Sequence, residues 1–106
     1  MTQSAQLLTL LDELQLELKR KQLWQSNKPT QQALQSQEPF SLDTLEPEQW
    51  LQWIFIPKIQ TLLAEKLTLP SGFSISPYFE QVWKEKPDYQ SIVSITKKID
   101  EVCQPC

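Results

Sequence analysis

EPEQWLQWIFIPKIQTLLAEK, residues 46–66, is the stretch on which the fold turns. Pro47 fits the first helical position, where its missing N–H costs nothing, and Glu46 or Thr44 can occupy the cap region. On a helical wheel Leu51, Phe55, Ile59 and Leu62 make one stripe, Trp50 and Ile54 flank it, and Trp53 and Ile56 fall on the far side. A helix that is apolar on nearly all sides is central, covered by neighbours or by a partner. Pro57 removes the bond to the carbonyl of Trp53, which predicts a kink; two shorter helices broken at Ile56 are the alternative.

Upstream, Leu7, Leu11, Leu14 and Leu18 follow helical spacing, with Leu8 and Leu10 widening the stripe, so residues 4–24 read as an amphipathic helix. Lys19, Arg20 and Lys21 dress its C-terminal end, where cations suit the exposed carbonyls. Residues 25–46 are rich in Gln and Ser, contain Pro29 and Pro39, and read as a long loop with one helical turn near Thr30–Gln35. Phe40, Leu42 and Leu45 predict that its second half packs down.

Downstream, the central helix is expected over 47–67, and Pro70-Ser71-Gly72 reads as a turn anchored by Phe73 and Ile75. Ser76 as cap and Pro77 at the first position open a helix over 76–86, with Phe79, Val82 and Trp83 as its apolar side. Pro87 opens a last helix over 87–103 whose buried face is Ile92, Ile95, Ile99 and Val102, leaving 104–106 as a tail. No segment reads as a strand. The expected fold is all-α: one domain, a four-helix bundle with a long loop between the first and second helices and a proline-kinked central helix.

The chain has 106 residues, so a single modest core is feasible and an enclosed multi-domain cleft is not expected. Its single glycine, Gly72, excludes glycine-rich phosphate loops. The absence of histidine removes the commonest general base and the usual zinc ligand. No cofactor or metal is expected. No apolar run approaches the roughly eighteen residues of a membrane span, and the acidic N-terminal stretch does not resemble a signal peptide, so no membrane association and a cytoplasmic location are expected.

The net charge is −3, and all of that excess lies in residues 1–53. Glu38, Asp43, Glu46 and Glu48 form a stretch without Lys or Arg, which repels phosphate and suits a basic protein surface. Lys19–Lys21 beside Trp24, and Lys84 and Lys86 beside Trp83, place bases next to aromatics as single-strand binders do. A pI near 4.9 nevertheless argues against autonomous nucleic-acid binding. Cys103 and Cys106 have C-x-x-C spacing, but they follow a helix instead of opening one, and they supply only half a zinc site. They read as reduced thiols in an inert, mobile tail. Among the tryptophans, Trp53 is the interface candidate because it opposes the main stripe; the long loop covering it is the alternative.

Pro39-Phe40-x-x-Asp43-Thr44-x-Glu46-Pro47-x-x-Trp50-Leu51-Gln52-Trp53, followed by Ile56-Pro57, Leu62-Leu63, Leu69-Pro70 and Pro77-Tyr78-x-Glu80, resembles the YqcC-like family of small bacterial proteins. The resemblance spans roughly residues 7–83. It implies a cytosolic helical bundle without a known catalytic residue. It also implies an accessory role beside a tRNA pseudouridine synthase, whose gene commonly neighbours those of the family. The CQPC tail is not part of the family pattern. The expected function is therefore a non-catalytic module that docks on a protein partner, with the tRNA pseudouridine synthase as the implied one, through Phe40, Asp43, Glu46, Glu48, Trp53 and Tyr78. Two alternatives stay open. One is a small enzyme using acid–base groups among Asp43, Glu46, Tyr78 and Glu80; the other is a homodimer that covers the central helix itself.

Overall fold

The computed structural model describes residues 3–41, 43–66 and 74–103. Leu42, the Pro70–Phe73 turn and the Gln104–Cys106 tail, on which expectations were placed above, lie outside them. Among the described residues the chain is helical, with no strand. The elements in order are α1 (Gln3–Arg20), α2 (Gln31–Leu34), α3 (Pro47–Trp50), a π-helical stretch (Leu51–Phe55), α4 (Ile56–Ala64), α5 (Ser76–Val82) and α6 (Gln90–Val102). Short 3-10 turns occupy Pro39–Ser41 and Pro87–Tyr89.

Helix α1 buries Leu7, Leu10, Leu11, Leu14 and Leu18, mainly against α6. The two run antiparallel. Gln3 Nε2 donates to the Val102 carbonyl at 2.7 Å at one end of the seam, and Ser91 Oγ donates to Glu17 at 2.6 Å near the other. Leu8 does not widen the buried stripe; it is half exposed. The helix stops at Arg20, short of the expected Trp24, because Gln22 turns left-handed at φ 63°. Leu23 N–H then bonds the Leu18 carbonyl at 2.8 Å and Gln22 N–H the Lys19 carbonyl at 3.1 Å. This is a Schellman ending, with glutamine where glycine is usual.

The long connection to α3 is structured. Thr30 Oγ1 accepts from Ala33 N–H at 3.1 Å and caps the single turn of α2, and Thr44 Oγ1 donates to the Ala33 carbonyl at 2.7 Å, tying that turn to the start of α3. At α3, Glu46 is the cap residue, and Gln49 Oε1 accepts from its backbone N–H at 2.7 Å.

Helices α3 and α4 are joined through the π-helical stretch, where Ile56 N–H bonds the Leu51 carbonyl five residues back. Pro57 sits in the first turn of α4, immediately after this widened turn. The wider turn gives the proline ring room that a regular α-turn denies it. It also moves Ile56 over Leu51, so Ile56 is core, not far-side as the ideal wheel has it, and Leu62 is only half-buried.

Helix α5 ends at Val82, before the expected 86, and Val82 is exposed. Its cap is not Ser76, which lies inside the helix. The buried Asp100 carboxylate, on α6, accepts from Ile75 N–H at 2.9 Å and from Ser76 N–H at 2.8 Å. Asp100 thereby welds α5 to α6 at the point where α5 begins. The last helix starts at Gln90 behind the 3-10 turn and buries Ile92, Val93, Ile95, Thr96 and Ile99. Cys103 belongs to the core, not to a mobile tail: it is fully buried, and desolvation with the nearby Asp100 pushes its thiol up. A thiol in that setting is a poor nucleophile.

Candidate functional site

Phe40 organises the most concentrated group of predicted residues. Its backbone is left-handed at φ 56°, followed by Ser41 at φ 49°, a conformation that costs a non-glycine residue about 1–2 kcal/mol. Aromatic packing offsets that cost. The Phe40 ring stacks on Tyr78 with centroids 4.1 Å apart and planes at 7°, lies 4.8 Å from Trp50, and meets Phe79 edge-on at 6.2 Å. The run continues from Phe79 to Trp83 and on to Tyr89, each step 5.1 Å. Phe40 therefore acts as the support beneath Tyr78.

Beside this stack, Glu46, Glu48, Tyr78, Val82, Trp83, Lys86 and Tyr89 line a surface hollow of about 500 Å³. Burial pushes the Glu48 carboxyl up; its own backbone N–H opposes the shift, and the neighbouring Glu46 adds to it. Burial likewise pushes the Tyr78 hydroxyl up, with Glu46 and then Glu48 working in the same direction. The hollow thus holds an exposed carboxylate, Glu46, and a half-buried one, Glu48, beside the aromatic side chains and Lys86. Such a setting favours a cationic group that can lie on a ring and meet a carboxylate.

Phe40, Glu46, Glu48 and Tyr78 are brought together. Asp43 and Trp53 are not among the residues of this hollow. Asp43 is exposed and accepts a hydrogen bond from Ser36 Oγ, which holds the loop to itself. Trp53 lies in a separate hollow with Trp24. Glu80 pairs with Lys97 at 2.9 Å. Among the described residues no hydrogen bond joins any two of Asp43, Glu46, Tyr78 and Glu80.

Tyr89 of the hollow, with Gln52 and Asp100, was not singled out from the sequence. Two of them carry a legible signal. Asp100 falls eight residues after Ile92 on the buried stripe of α6, and Gln52 interrupts the apolar run of the central helix; a polar group in either place has a structural bond to make. Gln52 makes two, accepting from Gln25 N–H at 2.8 Å and donating to the Gln25 carbonyl at 2.7 Å. Tyr89 offered no such signal, because a turn decides where it points, and Lys86 was legible only as a base beside Trp83.

No helix among the described residues is long and apolar enough to cross a membrane. Residues 6–102 match the family model described as tRNA pseudouridine synthase C. An uncharacterized protein of Haemophilus influenzae is 40% identical over 92 residues, which is 87% of each chain. The uncharacterized protein YqcC of Escherichia coli is 35% identical over 91 residues, 85% of this chain and 84% of that one. Its solution NMR structure matches with a TM-score of 0.84 at 33% identity, over 96% of this chain and 88% of that chain. A protein named tRNA pseudouridine synthase C, from Pectobacterium carotovorum, is 37% identical over 84 residues; these are 79% of this chain but 22% of that protein. By sequence across nearly its whole length, and by fold, this chain belongs to the YqcC-like family.

Proposed function

We propose that the chain is a non-catalytic helical accessory module that docks on a tRNA pseudouridine synthase. The observation that carries this reading is the match to only 22% of a protein bearing that name. A stretch related to this chain there shares one polypeptide with a much longer remainder, so a separate chain of the same kind is suited to meet such a remainder as a partner. The hollow of Glu46, Glu48 and Tyr78 supplies the chemistry for that contact. Its carboxylates repel tRNA and attract the basic surface of an RNA-modifying enzyme, and Tyr78 and Tyr89 offer rings for an arginine or lysine to lie on.

The test is co-purification of this chain with the tRNA pseudouridine synthase of the same organism, with and without tRNA. A complex at micromolar concentration is expected, losing affinity with salt. The double variant Glu46→Lys, Glu48→Lys is expected to slow association and blunt the salt dependence. If no complex forms under either condition, the proposal fails; if the double variant binds like the parent, this surface is wrong. Self-association is a second reading, favoured by Leu16 and Leu8, which stand 66% and 50% exposed on α1. Sedimentation at several concentrations separates the two.

A further inference from the structure

A second hollow, of about 430 Å³, lies between the chain that follows α1 and the π-helical stretch, and it shares no lining residue with the acidic one. Its size falls within the roughly 300–1,000 Å³ span of small-molecule pockets. Trp24 and Trp53 supply its aromatic surface, and Gln15, Gln60 and Ser26 its polar atoms. One wall is held fixed, because Gln52 clamps both backbone groups of Gln25 and Gln49 Nε2 donates to the Gln25 side chain at 3.2 Å.

Two further observations point to a ligand. The Trp53 indole N–H is buried without a hydrogen-bond partner, which is uncommon in a native fold and is costly to maintain. A donor of this kind is satisfied when a covering side chain moves aside and an acceptor enters. The second observation is charge. Residues 18–37 hold Lys19, Arg20, Lys21 and Lys28 and no acid, the reverse of the stretch from Glu38 to Glu48. Arg20 is paired with Glu17, whereas Lys19, Lys21 and Lys28 have no carboxylate partner among the described residues. The Lys19 ammonium lies over the ring of Trp24, one of the residues lining the hollow, at 5.2 Å.

We propose that this hollow takes one unstacked base of a single-stranded RNA. The base lies against the Trp24 ring, and its edge meets the Gln15 and Gln60 amides and the Trp53 N–H. Lys19, Lys21 and Lys28 follow the flanking phosphates. Aromatic faces with amides and cations form the usual platform for single strands. The donor-only indole selects a base edge that carries a carbonyl, which uracil presents. The net charge of −3 keeps the affinity of the isolated chain low; the contact gains force when a partner holds the RNA nearby. Only the choice of RNA over other polyanions rests on the function proposed above.

The four tryptophans provide the readout, as indole N–H signals in proton–nitrogen NMR of the full chain. The probe is an oligouridylate decamer taken to millimolar concentration. The Trp24 and Trp53 signals are expected to move, Trp53 downfield as it gains an acceptor, while Trp50 and Trp83 hold still. Binding is expected to fall with salt at a log–log slope of about −2, as three phosphate contacts on a single strand give. Trp24→Ala is expected to weaken it by about fivefold or more, with the unmoved Trp50 and Trp83 signals showing an intact fold.

Stationary Trp24 and Trp53 signals overturn the inference. So do equal shifts from inorganic phosphate or polyglutamate, equal binding of duplex RNA, or an unchanged affinity of the Trp24→Ala variant. The co-purification without tRNA does not involve this hollow, so that experiment and this one can each fail without the other.

Discussion

The α1–α6 pair and the segment from Pro39 to Ala64 are both apolar helical structure, and they are built on different terms. In the pair, leucines at regular spacing meet Ile92, Ile95 and Ile99, no residue inside either helix has positive φ, and the polar links lie near the ends of the seam. In the segment the backbone turns left-handed at Phe40 and Ser41, the helix widens to π between Leu51 and Phe55, the Glu48 carboxyl is pushed up by burial, and Trp53 keeps a buried donor unpaired. Strained geometry and poorly solvated polar groups persist only where the surroundings over-determine them, and they tend to gather at working surfaces. The contrast sets a regular, stabilising seam against an irregular segment that carries the docking surface proposed above.

The largest effect that tests this contrast is a cavity in the seam. Leu14 is fully buried on α1, and Leu14→Ala is expected to lower the unfolding free energy by roughly 2–5 kcal/mol in urea titration. For a domain of this size that is a large share of the whole. A loss well under that range, with an intact helical signal, would mean that the seam is loosely packed and does not carry the fold.

A smaller effect is expected where α5, which carries Tyr78, is fastened to the α1–α6 pair. Asp100→Asn keeps the shape but removes the charge and one of the two oxygens that receive Ile75 and Ser76 N–H. A loss of about 1–3 kcal/mol is expected. It is expected to appear first as faster hydrogen exchange at those two amides, with α1 remaining protected. Uniform loss of protection across the chain would show instead that α5 has no stability of its own.

The same division separates what the sequence discloses from what it hides. The four-rod plan is legible because Leu7, Leu11, Leu14 and Leu18, the isoleucines of α6, and prolines at the helix starts each report a local preference that tertiary packing leaves intact. The π turn is not legible, since Pro57 announces a disruption without saying whether the chain kinks, breaks or widens. Phe40 hides its left-handed turn because only glycine advertises positive φ, and here aromatic contacts across thirty-eight residues of sequence hold the strain. The candidate site was legible in residue type and only partly in grouping. Glu46, Glu48 and Tyr78 meet, whereas Trp53 lies apart from them beside Trp24, a pairing set by the end of α1 at Gln22.

The smallest effect falls on the carboxylate in the acidic hollow, and its sign distinguishes a recognition surface from a structural one. The Glu48 pKa in the folded chain lies above its ordinary value of 4.5, so the folded state holds the proton more firmly than the unfolded state does. Stability is then greatest below 4.5 and falls as pH rises through the window up to the raised value, above which the penalty is constant. Glu48→Gln removes that penalty and is expected to raise the melting temperature slightly at pH 7, with the gain disappearing below pH 4.5. Docking is expected to respond in the opposite sense. A cationic partner group needs the carboxylate ionised, so the parent complex is expected to weaken on acidification at a pH higher than an ordinary carboxyl would give. The variant is expected to bind more weakly at pH 7 and to lose the part of that acid step due to Glu48. Should Glu48→Gln raise stability while leaving docking and its pH profile untouched, the buried charge would have no role in recognition, and the contrast between the two regions would reduce to one of packing alone.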